Sequence, residues 1–389
     1  MSLDDAKATI ERAIASRVFP AATVDVGSAA AVLWSDAFGS LTFDADARRA
    51  TGGTIFDLAS LTKPIVTTPV IMDQVNTGVL TLEAHIADFL GDWRRADRGH
   101  VTVRDLLEHA SGLPARLVDQ PPSTRREFEH EIGRIPLEYE PRSRSVYSDL
   151  GFILLGFMAA DIGGAPLDAL FDRLTVRLKP DTTGATDAVR RTTATIATAD
   201  AVRLNPDIAV TSGEGGPRDH GSVRLQPDRD PGLVFTVPRA LRAITAPTEP
   251  MESDPRRGRR LIGEVHDNYA AALGGVAGHA GLFGSAAAVG RFARTMMRGN
   301  GLLRQITTKS AVPGSSRALG WDTMLPTSSC GTRMSSVAFG HVGFTGTSLW
   351  IDPARDRYFV LLTNRACGGG TVDQMREVRR AFHDALADF

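Results

Sequence analysis

A serine and a lysine three residues apart, in the run Phe56-Asp-Leu-Ala-Ser60-Leu-Thr-Lys63-Pro64-Ile-Val, are residues whose types and spacing can do chemistry together. Three residues is close to one helical turn, so the hydroxyl and the amine fall on the same side of it. Proline is tolerated only near a helix start, so Pro64 places that start at about Ser60. Ser60 then sits in the positive end of the helix dipole, where a developing oxyanion is favoured. A lysine held beside a hydroxyl and shielded from water has its charged form disfavoured and can act as a base. Ser-x-x-Lys is nevertheless common, and taken alone it fits an ordinary surface lysine. The chain contains no G-x-S-x-G, no H-E-x-x-H and no G-x-x-x-x-G-K-[ST], which removes the sequence signals for an α/β-hydrolase elbow, a zinc peptidase and a P-loop.

Three further segments join this one: Val103-Arg-Asp-Leu-Leu-Glu-His109-Ala-Ser-Gly-Leu-Pro114, Tyr147-Ser-Asp149-Leu-Gly-Phe and His341-Val-Gly343-Phe-Thr-Gly-Thr347. In order and spacing the four resemble the serine β-lactamase-like hydrolases, which include class C β-lactamases, D,D-peptidases (penicillin-binding proteins) and carboxylesterases. The resemblance implies catalytic roles for Ser60, Lys63 and Tyr147, with Ser60 carrying the acyl group and the other two sharing the proton transfers. A free phenol titrates at about 10, and a nearby ammonium is expected to bring Tyr147 down. The resemblance further implies an oxyanion hole made by the backbone N–H groups of Ser60 and Phe344, a site strand carrying His341 and Gly343, and neither metal nor cofactor.

Two departures bear on substrate. Asp149 stands where the family commonly has Asn, and an ionised carboxylate accepts hydrogen bonds but donates none to a substrate amide. His341-Val342-Gly343 stands where β-lactamases and peptidases carry Lys-Thr-Gly, replacing a permanent cation with a histidine that is mostly neutral at pH 7. Both weaken the grip expected on penicillins and acylamino groups. The expected activity is a carboxylesterase acting on small esters; the alternatives are a β-lactamase or D-alanyl carboxypeptidase and, in another class, a non-catalytic ligand-binding or sensor protein.

Composition agrees with a globular enzyme. The 389 residues are 42% hydrophobic and 23% charged, and 44 basic against 45 acidic residues leave a formal charge of −1. No pull toward nucleic acid or anionic membrane follows from that balance, and the expected partner is a small-molecule ester or amide, with the oligomeric state open. Cys330 and Cys367 are too few for a disulfide framework or a Cys-rich zinc site. No run approaches the 18 or so apolar residues of a membrane span. Asp4, Asp5, Glu11 and Arg12 interrupt the window a secretory leader needs, so a cytoplasmic location is expected, or a periplasmic one if a leader preceded this chain.

The elements that must position the site follow from periodicity. Ala6, Ile10, Ala13, Ile14 and Val18 predict an opening amphipathic helix, and Val372, Met375, Val378, Phe382 and Leu386 a closing one, capped by Thr371 with Gln374. Apolar and β-branched runs at 21–43 and 336–363, the latter turning at Asp352-Pro-Ala-Arg-Asp356, predict antiparallel strands. The expected fold is α/β (α+β) and β-lactamase/transpeptidase-like: an antiparallel sheet flanked by helices from residues 1–100 plus 270–389, with a mainly helical domain at 101–269.

Some segments fit this frame less directly. Gly263-Glu-Val-His266-Asp-Asn268 and Gly274-Gly-Val-Ala-Gly-His279 resemble a segment found in one branch of the family near the cleft; a hydrogen-bonding role for His266 and Asp267 is preferred to a second acid/base pair, and close packing for the glycines. Arg256, Arg257, Arg259 and Arg260 predict a solvated loop, and His109 a structural role. Val176-Arg-Leu-Lys-Pro-Asp181 recurs as Val202-Arg-Leu-Asn-Pro-Asp207 and Val223-Arg-Leu-Gln-Pro-Asp228, in a stretch poor in large apolar residues. It reads as an acquired insertion at about 175–231. Deleting that stretch is expected to leave a folded, active protein; loss of soluble expression from the deleted gene overturns the reading.

Overall fold

The structure, a computed structural model, describes residues 2–117, 121–177, 232–252, 254–256, 258–299 and 302–389. In chain order its strands are β1 (Ala21–Gly27), β2 (Val32–Gly39), β3 (Phe56–Asp57), β4 (Phe283–Gly284), β5 (Asp322–Thr323), β6 (Phe339–Val342), β7 (Ser348–Asp352) and β8 (Arg357–Thr363). Six form an antiparallel sheet in the order β2-β1-β8-β7-β6-β5, while β3 pairs with β4 apart from it. Both ends of the chain therefore meet in the sheet centre, where Val24 of β1 lies opposite Leu361 of β8.

Side-chain alternation decides which layer each face holds. Phe359 and Leu361 of β8, with Val24 and Val26 of β1, pack under the terminal helices Leu3–Ala15 and Val372–Ala385. Tyr358, Val360 and Leu362 face the other way, into a core shared with the helix Ala286–Arg298 and the helical middle of the chain. Both terminal helices start on capping boxes, Ser2 with Asp5 and Thr371 with Gln374. Val372 departs from its apolar pattern, being 54% exposed at the first turn, where it lines the cleft described below.

The middle of the chain contributes helices at Val103–Leu107, Arg125–Arg134, Asp149–Gly163 and Leu167–Arg177. The third, Asp149-Leu-Gly-Phe-Ile-Leu-Leu-Gly-Phe-Met-Ala, is apolar on every side because it is the central helix of that half, with Phe152, Leu155 and Met158 fully buried. It ends at Gly164 in the left-handed conformation, φ 59°. The described residues fall in one unit, Met1–Leu178 with Asp230–Phe389. Apart from the end of the helix Leu167–Arg177, the expected insertion at 175–231 and its repeats lie outside the described residues, as does Arg257. No single helix among the described residues is long and apolar enough to cross a membrane.

One contact fits the central helix to the site. A Cβ on Gly278 falls 2.0 Å from the Phe152 carbonyl oxygen and 2.9 Å from the Gly156 nitrogen, so segment 274–283 crosses this helix only because both positions are glycine. Gly278→Ala is expected to cost about 1–3 kcal/mol, read as a lower thermal midpoint. Gly52→Ala, with nothing within 4 Å of its Cβ, is expected to leave the midpoint unchanged.

Candidate active site

The nucleophile's turn is built from β3 outward. The Asp57 carboxylate accepts the Ala59 N–H at 2.8 Å and the His266 N–H at 2.6 Å, while burial pushes its pKa up to about 6. Ala59 is held at φ 47°, a left-handed conformation uncommon for a residue with a Cβ, directly before Ser60. A 3₁₀ turn (Ala59–Leu61) and a π turn (Lys63–Thr67) follow, and the α-helix begins only at Thr68, not at Ser60 as the sequence suggests. The reason is a pair of prolines. Pro64 and Pro69 have no N–H to close ordinary turns, and the Thr68 N–H reaches back five residues to the Lys63 carbonyl.

Ser60, Lys63 and Tyr147 come together in a closed triangle. Lys63 Nζ lies 3.1 Å from Ser60 Oγ and 2.6 Å from Tyr147 Oη, and Tyr147 Oη lies 2.8 Å from Ser60 Oγ. The ammonium is fully buried and also donates to Asp149 Oδ1 at 2.8 Å and to the His279 carbonyl at 3.1 Å. An ammonium has three protons, and here it faces four oxygens. Asp149 and the carbonyl accept only, so they take two, and the nearer phenol oxygen takes the third in preference to Ser60.

Protonation departs from the sequence expectation in both groups. Burial alone pulls Lys63 down, but Asp149 and Tyr147 outweigh it and hold its pKa above the ordinary lysine value. Burial also pushes Tyr147 up, by more than Lys63 lowers it. At neutral pH the pair is therefore an ammonium and a phenol, one proton too many to accept the Ser60 proton. Losing that proton arms the site, and the pair titrates as a unit.

Asp149 connects the triangle to a ring of charges. Burial works against its negative charge, yet Lys63, His279 and Arg116 keep its pKa below the usual carboxylate value. Arg116 bridges Asp149 at 2.9 Å and Asp267 at 2.8 Å and lies 3.9 Å above the Tyr269 ring. Asp267 takes the His279 imidazole at 2.8 Å and caps the helix Asn268–Ala272, and the His279 carbonyl returns to Lys63. His266 and Asp267 are thus bound into the site's frame; burial drops the His266 pKa to about 4. Nothing in the sequence marks Arg116, which no motif contains.

His341 is buried, donates its Nδ1–H to the Val342 carbonyl at 2.8 Å, and lies with its ring 6.0 Å from that of Tyr147. Burial, with Lys63 and Arg317 nearby, drops its pKa well below the ordinary value, so it is neutral. His109 packs against the other side of Tyr147, rings 4.8 Å apart, and accepts the Ser148 N–H. Gly343 lets this strand approach the nucleophile's turn: a Cβ there falls 2.6 Å from the Leu58 carbonyl. Thr345 and Thr347 fasten the same loop to the Asp57 and Leu58 carbonyls at 2.7 and 3.0 Å. Arg259 and Arg260 are paired to Glu264 and Asp44 on the surface, whereas Arg256, paired to Asp254, is largely buried and donates to the Val265 and His266 carbonyls at 2.7 and 3.0 Å. Among the described residues no group of three or more His, Cys, Asp or Glu is arranged to hold a metal.

Ser60, Tyr147, Asp149 and His341 line a cavity of about 430 Å³ together with the apolar Met251, Phe344, Val372 and Met375, and Arg365 and Arg379 line it as well. Arg317 also lines it, its guanidinium 5.3 Å from the Tyr147 ring centre and without a carboxylate partner among the described residues. Sequence reasoning missed it, because a lone arginine 24 residues before the His341 segment carries no pattern.

This fold and this serine–lysine–tyrosine arrangement define a serine hydrolase of β-lactamase type. A family model described as Beta-lactamase matches residues 6–383, and the chain belongs to that family. An Escherichia coli (strain K12) protein provisionally named D-alanyl-D-alanine carboxypeptidase is 30% identical over 357 residues, 82% of this chain and 70% of its own. Among solved structures, EstCE1, a hydrolase with promiscuous acyltransferase activity, superposes with a TM-score of 0.68 at 18% identity over 98% of each chain. A class C beta lactamase from Rhodobacter sphaeroides does so at 0.67 with 16% identity over 99% of each.

The Asp149 carboxylate holds a proton on the Lys63–Tyr147 pair, so kcat/KM is expected to rise with pH above neutrality. Asp149→Asn removes the anion, lowers the pair's proton affinity and shifts that rising limb to lower pH by about 1–3 units. A pH–rate profile that stays put, or moves to higher pH, contradicts this assignment.

Proposed function

We propose that this protein forms an acyl-enzyme on Ser60 and acts as a carboxylesterase on small esters. The observation that carries the reading is the Ser60–Lys63–Tyr147 triangle at a cavity whose lining includes the apolar Met251, Phe344, Val372 and Met375. Once the pair has lost a proton, Ser60 Oγ attacks the ester carbonyl and its proton passes to Tyr147. The backbone N–H groups of Ser60 and Phe344 receive the oxyanion. As the tetrahedral intermediate collapses, the proton passes to the departing alkoxide, and water repeats the sequence to free the acid. Lys63, kept cationic by Asp149, stabilises the tyrosinate rather than acting as the resting base.

A second reading, cleavage of D-alanyl peptides or β-lactams, draws support from Arg317. With His341 neutral, this arginine is the cation against the Tyr147 ring that can meet a substrate carboxylate, and the E. coli relative's name points the same way. Against it, Asp149 is engaged by Lys63 and Arg116 and donates nothing to an acylamino group.

The experiment compares p-nitrophenyl acetate and butyrate with nitrocefin and a D-alanyl-D-alanine peptide, with intact mass to detect the adduct. Ester turnover with an acyl group on Ser60, lost by about a thousandfold or more in Ser60→Ala without unfolding, is expected. Preference for nitrocefin or the peptide, abolished by Arg317→Ala, moves the assignment to the second reading; absence of any adduct defeats both.

A further inference from the structure

The helix Val372–Ala385 places Arg379 inside the protein, 5% exposed, where it has no carboxylate partner among the described residues. Its Nη2 donates to the Gly343 carbonyl at 2.8 Å and the Thr347 carbonyl at 3.0 Å, and its Nε has no partner. A buried unpaired cation is costly, and a neutral side chain of similar reach could hold two carbonyls. Burial and the neighbouring Arg365 draw its pKa down to about 9, which leaves it charged at neutral pH. One turn on, His383 is buried with both ring nitrogens unpartnered, its pKa dropped to about 3 by burial and by Arg379. A full positive charge therefore stands against one end of the site strand.

The Gly343 carbonyl and the Phe344 N–H are two ends of one peptide group, conjugated through its C–N bond. A cation hydrogen-bonded to the oxygen draws density from the nitrogen and strengthens the N–H as a donor. We propose that Arg379 is a positioning residue that polarises the Gly343–Phe344 peptide from behind, so that the Phe344 N–H binds the developing oxyanion more strongly than a neutral peptide does. Resting on the acyl-enzyme reading above, the assignment adds a charge to the oxyanion hole through a peptide bond, from a side chain at the inner lining of the same cavity. Arg365 has a different place: its Nε donates to the Phe344 carbonyl at 3.0 Å, whose peptide partner is the Thr345 N–H.

The test measures pre-steady-state acylation by [¹³C-carbonyl]p-nitrophenyl butyrate and the infrared frequency of the acyl-enzyme carbonyl in wild type, Arg379→Gln and Arg379→Lys. Folding is monitored by near-UV circular dichroism. Gln keeps a donor and loses the charge. In the folded Gln variant the acylation rate is expected to fall about tenfold to a hundredfold with KM little changed, and the carbonyl band to move to higher wavenumber. Lys is expected to lie between the two in both readouts. A folded Gln variant with wild-type rate and band, or one altered only in KM, overturns the proposal while leaving the acyl-enzyme intact. Should Gln fail to fold, Arg379→Met, which also removes the charge, decides, and an unmoved band in it overturns the proposal. Absence of labelled Ser60 in wild type defeats the hydrolase reading itself, a different result.

Discussion

A fully buried ammonium is the constraint from which the site's construction follows. Lys63 cannot stay charged inside the protein without oxygens placed around it, and these come from three separate stretches of chain: Ser60 from its own turn, Tyr147 and Asp149 from the start of the central helix, and the His279 carbonyl from the crossing segment. Asp149, once buried, needs a cation of its own beyond Lys63, and Arg116 supplies it. Arg116 in turn needs Asp267. The glycines at 156 and 278 exist in this scheme to let the crossing segment close the ring.

An acid in place of the family's usual amide at position 149 changes the chemistry of rest rather than the chemistry of attack. An amide leaves the lysine free to share its proton, whereas a carboxylate 2.8 Å away keeps it. Two wants then oppose each other: the frame is strongest when Lys63 is charged, and the nucleophile is readiest when the pair has given a proton up. With the His341 imidazole neutral, the positive charge that lines the cavity among the described residues belongs to arginines, Arg317 included.

Much of the architecture was legible because it rests on local patterns. The terminal helices, their caps and the strands at both ends follow periodicities of three to four and of two, and Thr371 with Gln374 forms the capping box expected of them. The Ser60, Lys63 and Tyr147 segments were legible through resemblance, since 84 residues separate the last two and no local rule joins them. What escaped was what depends on neighbours distant in sequence. The helix starts at Thr68 rather than Ser60 because Pro69 acts together with Pro64. The protonation of Lys63 depends on a carboxylate 86 residues away that, with Tyr147, outweighs the effect of burial. Arg116, Arg317 and Arg379 are single arginines whose importance lies in what surrounds them.

The ring through positions 63, 149, 116, 267 and 279 also ties reactivity to completion of folding. Its members run from position 63 to position 279, so the closing contacts are long-range ones, which form late because the loops between them must first be closed. Until then Lys63 is an ordinary solvated amine and Ser60 an ordinary alcohol, with neither tyrosine nor carboxylate at hand. On the acyl-enzyme mechanism proposed above, a nascent or partly unfolded chain exposes no activated nucleophile, and covalent labelling of Ser60 would report not only the presence of this protein but the fraction of it that has reached its native state.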